Sequence, residues 1–181
     1  MIKNIRKIIT ILGITLLMNG CLLFHSISYE IEPDGIGGGN ATILIEDIRS
    51  DAINTNELNE DKKNLFEFMY KSDEFIEQMK GEGKDIQNRN VIIEDGRLNG
   101  VINFNFDDIE LVEGIIYEEP FYYLTLSQED SIISTNGEVI ISDNHKRILW
   151  DNSIKVLKFK MFSDIVEGDK LIGMAQYYES E

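Results

Sequence analysis

The sequence predicts an α+β domain: a mostly antiparallel sheet of about seven or eight strands, with two or three helices packed on one face. Several segments alternate apolar and polar residues, as in Ile27, Tyr29 and Ile31. Glycine turn dipeptides separate such segments. One stretch, residues 57–82, changes to helical spacing. Because the predicted strands alternate, we expect one face of the sheet to stay wet.

The first predicted hairpin joins a strand that starts near Ser26 to a second strand, Asn40 to Glu46. The glycine-rich residues 33–39 connect the two strands, since glycine adopts positive φ without a steric penalty. A phosphate-binding loop would need a helix after the glycines. Here the β-branched Thr42 and Ile43 follow, so a hairpin connection is favoured over a phosphate site.

Residues 57–71 predict a helix with one apolar stripe, and Ser72 is placed to cap a second helix that ends at Glu82-Gly83. The stripe is Leu58, Leu65, Phe66 and Met69. We interpret it as cover for the sheet, with a ligand groove as the alternative. The acidic and amide residues before this helix lack the glycine and closing glutamate of a calcium loop.

Further strands are predicted from residue 91 onward. Asp95-Gly96 and Asn136-Gly137 each predict a hairpin, because these dipeptides suit two-residue turns. Asp107-Asp108 predicts the start of a short helix that ends at Gly114. The segments expected as strands are 91–94, 98–106, 121–127, 131–134, 139–142, 147–150 and 153–162.

Composition excludes several classes of function. The 181 residues carry a formal net charge of −16, which repels nucleic acid. There are two histidines and one cysteine, so a His-rich metal site and a disulfide framework are excluded. The acidic pairs Asp107/Asp108 and Glu118/Glu119 are neighbours in sequence, and such neighbours point apart on a strand. We therefore predict no catalytic residue, no metal site and no cofactor.

The N-terminus has the plan of a secretory signal. Lys3, Arg6 and Lys7 precede the uncharged run Ile8 to Met18, and Asn19-Gly20 leads to Cys21. This stretch resembles the signal peptide of bacterial lipoproteins, in which a lipobox cysteine is acylated and becomes the new N-terminus. The resemblance implies removal of residues 1–20 and lipidation, including palmitate, of Cys21. The alternative is an uncleaved membrane helix that continues to Phe24.

The resemblance also implies a location and a domain plan. Residues 21–25 would be a short tether and residues 26–181 a single α+β domain. Tether and domain together have a net charge of −19, because removal of the signal takes three positive charges away. The anchor would hold the protein in the cell envelope, with the domain facing the periplasm or the exterior. Leu22 is not the aspartate that retains some Gram-negative lipoproteins in the inner membrane, so the outer membrane is permitted. The opening hairpin, SYEIEPDGIGGGNATILIEDI, resembles that of LppM-like envelope lipoproteins. The resemblance implies an envelope α+β domain and carries over no catalytic residue.

One basic strip interrupts the acidic chain. Residues 146–160 contain five basic side chains and one acid, with the chain's single tryptophan among them. Lysines on an exposed strand discourage pairing with other chains, which is one interpretation. The other is contact with anionic headgroups or glycans, with Trp150 at the interface. The residues in this hypothesis are Lys146, Arg147, Trp150, Lys155, Lys158 and Lys160.

These observations predict a membrane-anchored envelope lipoprotein that acts as a non-enzymatic interaction or structural module. Its expected partners are the membrane and an envelope protein or lipid. The alternative is a carrier or sensor that holds a lipid or other hydrophobic ligand between sheet and helices. An enzyme acting on envelope polymers is the third hypothesis, and it would need carboxylates that converge in a cleft.

Overall fold

The computed structural model describes residues 22–35, 37–162 and 171–178. These residues form thirteen strands in three antiparallel sheets. The strands are β1 Leu22–Leu23, β2 Ser26–Pro33, β3 Gly39–Glu46, β4 Arg49–Ser50, β5 Lys84–Glu94, β6 Arg97–Phe106, β7 Ile116–Glu118, β8 Phe121–Leu126, β9 Ile132–Thr135, β10 Glu138–Ile141, β11 Lys146–Asp151, β12 Leu157–Phe162 and β13 Ile172–Gly173. The largest sheet has the order β5-β6-β3-β2-β12-β9, the second β10-β11-β8-β7, and the smallest β1-β4-β13.

The main core lies between the six-stranded and four-stranded sheets. Ile31 and Phe159 come from the larger sheet and Ile148 and Trp150 from the smaller one, and each is at most 2% exposed. Burial of one such side chain contributes about 1.5–3 kcal/mol. The predicted inward alternation of the first strand is confirmed, because Ile27, Tyr29 and Ile31 are all buried.

The helical part consists of one main helix and one short helix. The main helix is α-helical over Thr55–Lys62 (α1) and π-helical over Lys63–Lys71, and the short helix is Asp73–Gly81 (α2). Ser72 caps α2 as predicted, since its hydroxyl accepts a hydrogen bond from the Glu74 amide at 3.0 Å.

A second core cluster lies under the main helix. It consists of Leu22, Ile48, Leu65, Leu98 and Met174, all buried. Leu98 is on the same face of β6 as Phe104, a residue of the main core. The main helix and the four-stranded sheet therefore cover different parts of one face of the six-stranded sheet.

The opposite face of the six-stranded sheet is polar, as the alternation predicted. Asn103 donates to the Thr42 hydroxyl at 2.7 Å across β6 and β3. Lys158 of β12 donates to Glu30 of β2, also at 2.7 Å. The side chains of this face thus pair across strands, which stabilises a sheet face that water can reach.

The α+β class with mostly antiparallel strands is confirmed. The expected number of strands is too low, because the described residues form thirteen strands in three sheets and not a single sheet of seven or eight. Two hairpins were predicted correctly: β2 pairs with β3, and β5 with β6 through Asp95 (φ 49°) and Gly96 (φ 75°). The Asn136-Gly137 hairpin is wrong. There β9 pairs with β12 and β10 pairs with β11, so the dipeptide links the two large sheets.

The Asn136-Gly137 link is shaped by tertiary contacts. The Asn136 Oδ1 atom accepts from Trp150 Nε1 at 2.9 Å and from the Lys158 amide at 2.8 Å. A Cβ atom on Gly137 would lie 2.7 Å from Trp150 Nε1 and 2.8 Å from the Leu149 carbonyl oxygen. Glycine at this position permits a close approach between sheets, which is a different role from that in a two-residue turn.

The predicted tether requires correction. Leu22 and Leu23 form β1, in register with Ser50 and Arg49, and Leu22 is 6% exposed. Residues 22 and 23 therefore belong to the folded domain, because Leu22 fills part of the second core cluster. Residues 1–20 and Cys21, on which the signal and lipidation predictions rest, lie outside the described residues.

Candidate functional site

Strand register places several chain segments at one end of the six-stranded sheet. Ser26 is opposite both Glu46 and Phe162, and the Asp95-Gly96 turn lies at the same end because Ile45 is opposite Gly100. We call this end, formed by Ser26, Glu46, Phe162 and the Asp95-Gly96 turn, the Ser26 end. The β2–β3 turn at Asp34 marks the other end of the sheet.

A buried aspartate organises the charges at the Ser26 end. Asp47 is 5% exposed and has φ 57°, a left-handed backbone that few non-glycine residues adopt. Arg49 holds its carboxylate with two bonds, Nε to Oδ1 at 3.0 Å and Nη2 to Oδ2 at 2.5 Å. The Asn99 side-chain oxygen accepts from the Asp47 amide at 2.9 Å. The hydrogen bonds from Arg49 outweigh burial and lower the pKa of Asp47.

A second ion pair lies nearby on the polar face. Lys160 contacts Glu46, and the Ser26 hydroxyl donates to Glu46 Oε2 at 2.6 Å. Burial by itself would raise the pKa of Glu46, but the hydrogen bonds from Lys160 and Ser26 outweigh burial and lower it. Both acids are therefore ionised partners of basic groups. Neither is a free carboxylate poised to transfer a proton.

Exposed apolar side chains accompany these charges. Ile92 is 39% exposed and Ile93 is 48% exposed, both directly before the Asp95-Gly96 turn. Phe162, at the end of β12, is 46% exposed and contacts the His25 ring with centroids 5.3 Å apart. The Ser26 end thus combines neutralised ion pairs with apolar side chains that face solvent.

The structure divides the predicted basic strip between two sheets. Lys158 and Lys160 share the polar face of the six-stranded sheet, as predicted, but each pairs with a glutamate. Lys146 and Arg147 belong to the four-stranded sheet. The Lys146 ammonium donates to the Asp130 carbonyl oxygen at 2.7 Å, and the Arg147 guanidinium lies 4.6 Å from the centroid of the Tyr123 ring. Lys155 is exposed in the loop between β11 and β12.

Trp150 does not fit the predicted headgroup contact. It is 0% exposed, and its ring packs against Phe159 with centroids 6.0 Å apart. Its indole nitrogen already donates to Asn136. The prediction that Trp150 sits at a membrane interface is therefore wrong, because β11 turns this side chain into the core between the two large sheets. Headgroup contact by the five basic residues stays a prediction.

A hydrogen-bonded pair of a buried tyrosine and a partly buried glutamate was missed by sequence reasoning. Tyr29, 4% exposed, donates its hydroxyl to Glu113 Oε1 at 2.8 Å. Glu113 has φ 55°, and Gly114 after it has φ 73°. Burial raises the pKa of Glu113, although the hydrogen bond from Tyr29 opposes the shift. The sequence offered only the positive-φ signal of Gly114, since the two residues are 84 positions apart.

Glu113 makes stability depend on pH in a definite direction. The folded state holds the Glu113 proton more tightly than the unfolded state does. The resulting contribution to the free energy of unfolding is fully present below the ordinary carboxyl pKa of 4.5 and is lost as the pH rises through the higher folded-state pKa. Glu113→Gln keeps an oxygen for Tyr29 and removes the charge. We expect this variant to lose that pH dependence and to be more stable than the original chain at neutral pH, because the folded state no longer holds a charge whose desolvation is unfavourable.

Urea denaturation of both proteins across the mildly acidic to neutral range measures this effect. Glu110→Gln is the matched control, because Glu110 is exposed in the same short segment and should leave the pH profile unchanged. Parallel pH profiles for Glu113→Gln and the original chain would contradict the assignment.

Metal and membrane-spanning signals are not found in the described part of the chain. Within residues 22–35, 37–162 and 171–178, histidines and acids form no group of three that could hold a metal ion. Among the same residues, no helix is long and apolar enough to cross a bilayer. The buried polar side chains described are all hydrogen-bonded.

Comparison with known proteins adds no relative. No family model matches the chain, and searches of curated proteins and of solved structures give no significant match. The functional argument therefore rests on the residues and contacts described above.

Proposed function

We propose that the protein is a lipid-anchored protein of the bacterial envelope, acylated at Cys21, whose domain acts as a non-enzymatic interaction or structural module. The observation that carries the anchor is the signal-like sequence that ends at Cys21, and the burial of Leu22 adds that the fold begins directly after that residue. If the lipid is on Cys21, the fold begins within one residue of it, a distance of about 3.8 Å between Cα atoms. The domain would then rest directly on the membrane.

The packing under the main helix favours a module over the alternative, a carrier or sensor. Leu65 of the helix, Leu98 of β6 and Met174 fill the space between helix and sheet, and each is at most 5% exposed. A carrier would need room for its ligand between these elements. The side chains that would have to move are core residues, whose displacement costs stability.

The acids described here favour a module over an enzyme. Asp47 is held by Arg49, Glu46 by Lys160 and Ser26, and Glu113 by Tyr29. Cleavage of envelope polymers by paired carboxylates requires two acids that face each other across a cleft. These three acids instead have fixed structural partners.

Intact mass spectrometry of the chain extracted from bacterial membranes tests the anchor. We expect a chain that starts at Cys21 and carries acyl groups, and we expect Cys21→Ser to leave the detergent phase in phase separation. His25→Ser is the matched control, since His25 is exposed and should not affect lipidation. An unmodified chain that starts at Met1 in the membrane fraction would instead identify an uncleaved helix and contradict the proposal.

A further inference from the structure

We propose that the Ser26 end is a lipid-contacting surface, with Ile92, Ile93 and Phe162 lying at the boundary between headgroups and acyl chains of the bilayer. The inference rests on the proposed anchor at Cys21 and adds which part of the domain meets the membrane. Amphipathic helices that lie on membranes bury their apolar face roughly 5–10 Å into that boundary, and we expect a comparable depth here.

The position of the anchor selects the bilayer as the occupant of this surface. Leu22 lies in β1, and β1 leads through residues 24 and 25 into β2, which starts at Ser26. The His25 amide donates to the Glu46 carbonyl oxygen at 2.9 Å, so this connection is fixed to the Ser26 end. A lipid on Cys21 would therefore hold the bilayer beside the Ser26 end and away from the Asp34 turn.

The spacing of the apolar side chains supports a two-point contact. Ile92 and Ile93 are on β5 and Phe162 is on β12, with β6, β3 and β2 between them. At about 4.8 Å per strand, these positions lie roughly 19 Å apart across the sheet. Together with the anchor, two separated contacts would set the orientation of the domain, whereas one contact would let it pivot.

The charges at this end favour apolar insertion over attraction to anionic headgroups. Arg49 and Lys160 are already paired with Asp47 and Glu46. Arg97 has a side chain that is 63% exposed, but Glu94 and Asp95 are exposed beside it. The surface has no excess of positive charge, so we expect contact with zwitterionic lipids that depends little on salt.

The exposed apolar side chains of β10 lack a link to the anchor. Val139, Ile140 and Ile141 of β10 are 40–68% exposed along an edge of the four-stranded sheet. Nothing in the structure shows what would cover that edge. The Ser26 end differs because β1 and β2 connect it directly to Leu22.

Depth-dependent quenching tests the inference on the full-length, membrane-extracted chain. Single cysteines replace Ile93, Phe162 or Tyr117 and carry an NBD fluorophore, in phosphatidylcholine vesicles whose acyl chains bear a nitroxide. Tyr117→Cys is the matched control: Tyr117 is 44% exposed and lies in β7. The chain enters β7 from the Asp34 end, where the Ile109 amide donates to the Gly37 carbonyl oxygen at 2.9 Å. Cys21 is the only native cysteine, and acylation would block it.

We expect several-fold stronger quenching at positions 93 and 162 than at position 117. Equal quenching at all three positions on a chain with acylated Cys21 would overturn the inference and leave the anchor intact. Quenching at only one of positions 93 and 162 would overturn the two-point contact. If Cys21 is unmodified, it takes up the fluorophore, and the measurement is repeated in the Cys21→Ser background. Strong quenching at both positions there would contradict the anchor but support the lipid-contacting surface. An unmodified Cys21 without such quenching would overturn both.

Discussion

Trp150→Ala is expected to lower the free energy of unfolding by about 3–5 kcal/mol, the usual cost of truncating a buried aromatic side chain. Trp150 is fully buried between the two large sheets, and its removal also takes the indole donor from Asn136 Oδ1. Asn136 connects β9 to β10, so the loss should reach both sheets. Urea denaturation followed by far-ultraviolet circular dichroism measures the change.

Trp150→Phe is the matched control for this prediction. It keeps most of the buried ring and removes the indole nitrogen, while the Lys158 amide still donates to Asn136. We therefore expect a smaller loss than for alanine. Unchanged stability of Trp150→Ala, together with weaker binding to anionic vesicles, would contradict the core assignment and favour the headgroup contact that the sequence suggested.

Leu22→Ala is expected to cost about 2–5 kcal/mol, because it leaves a cavity in the cluster under the main helix. Leu22 is 6% exposed and belongs to the same cluster as Leu65, Leu98 and Met174. The expected loss is large for a residue that sequence reasoning assigned to a tether. It can be measured by urea denaturation in the Cys21→Ser background, which separates stability from lipidation.

Leu23→Ala provides the matched control, because Leu23 is the neighbouring leucine of β1 and is only partly buried. We expect it to lose clearly less stability than Leu22→Ala. Equal and small losses for both variants would show that residues 22 and 23 act as a tether after all. Such a result would also remove the argument that the domain rests directly on the membrane.

Local signals predicted much of the secondary structure. The Asp95-Gly96 turn and the Ser72 cap depend on residues a few positions apart, so the sequence shows them directly. Candidate membrane contacts were less visible. Consecutive residues of a strand point to opposite faces, so a strand cannot bury both Ile92 and Ile93 on one face. This pattern could have identified them as candidate membrane contacts. Phe162 looked like an ordinary strand residue.

Composition and local residue patterns were enough to predict the α+β class, the strongly acidic surface, the two local hairpins and an anchor at Cys21. Three features became visible only in the folded chain: Asn136-Gly137 links two sheets, Trp150 is core and Leu22 is folded. Alternation shows which residues share a face of a strand, whereas burial depends on what packs against that face. For Trp150 and Leu22 the packing partners are distant in sequence, and local periodicity does not encode them.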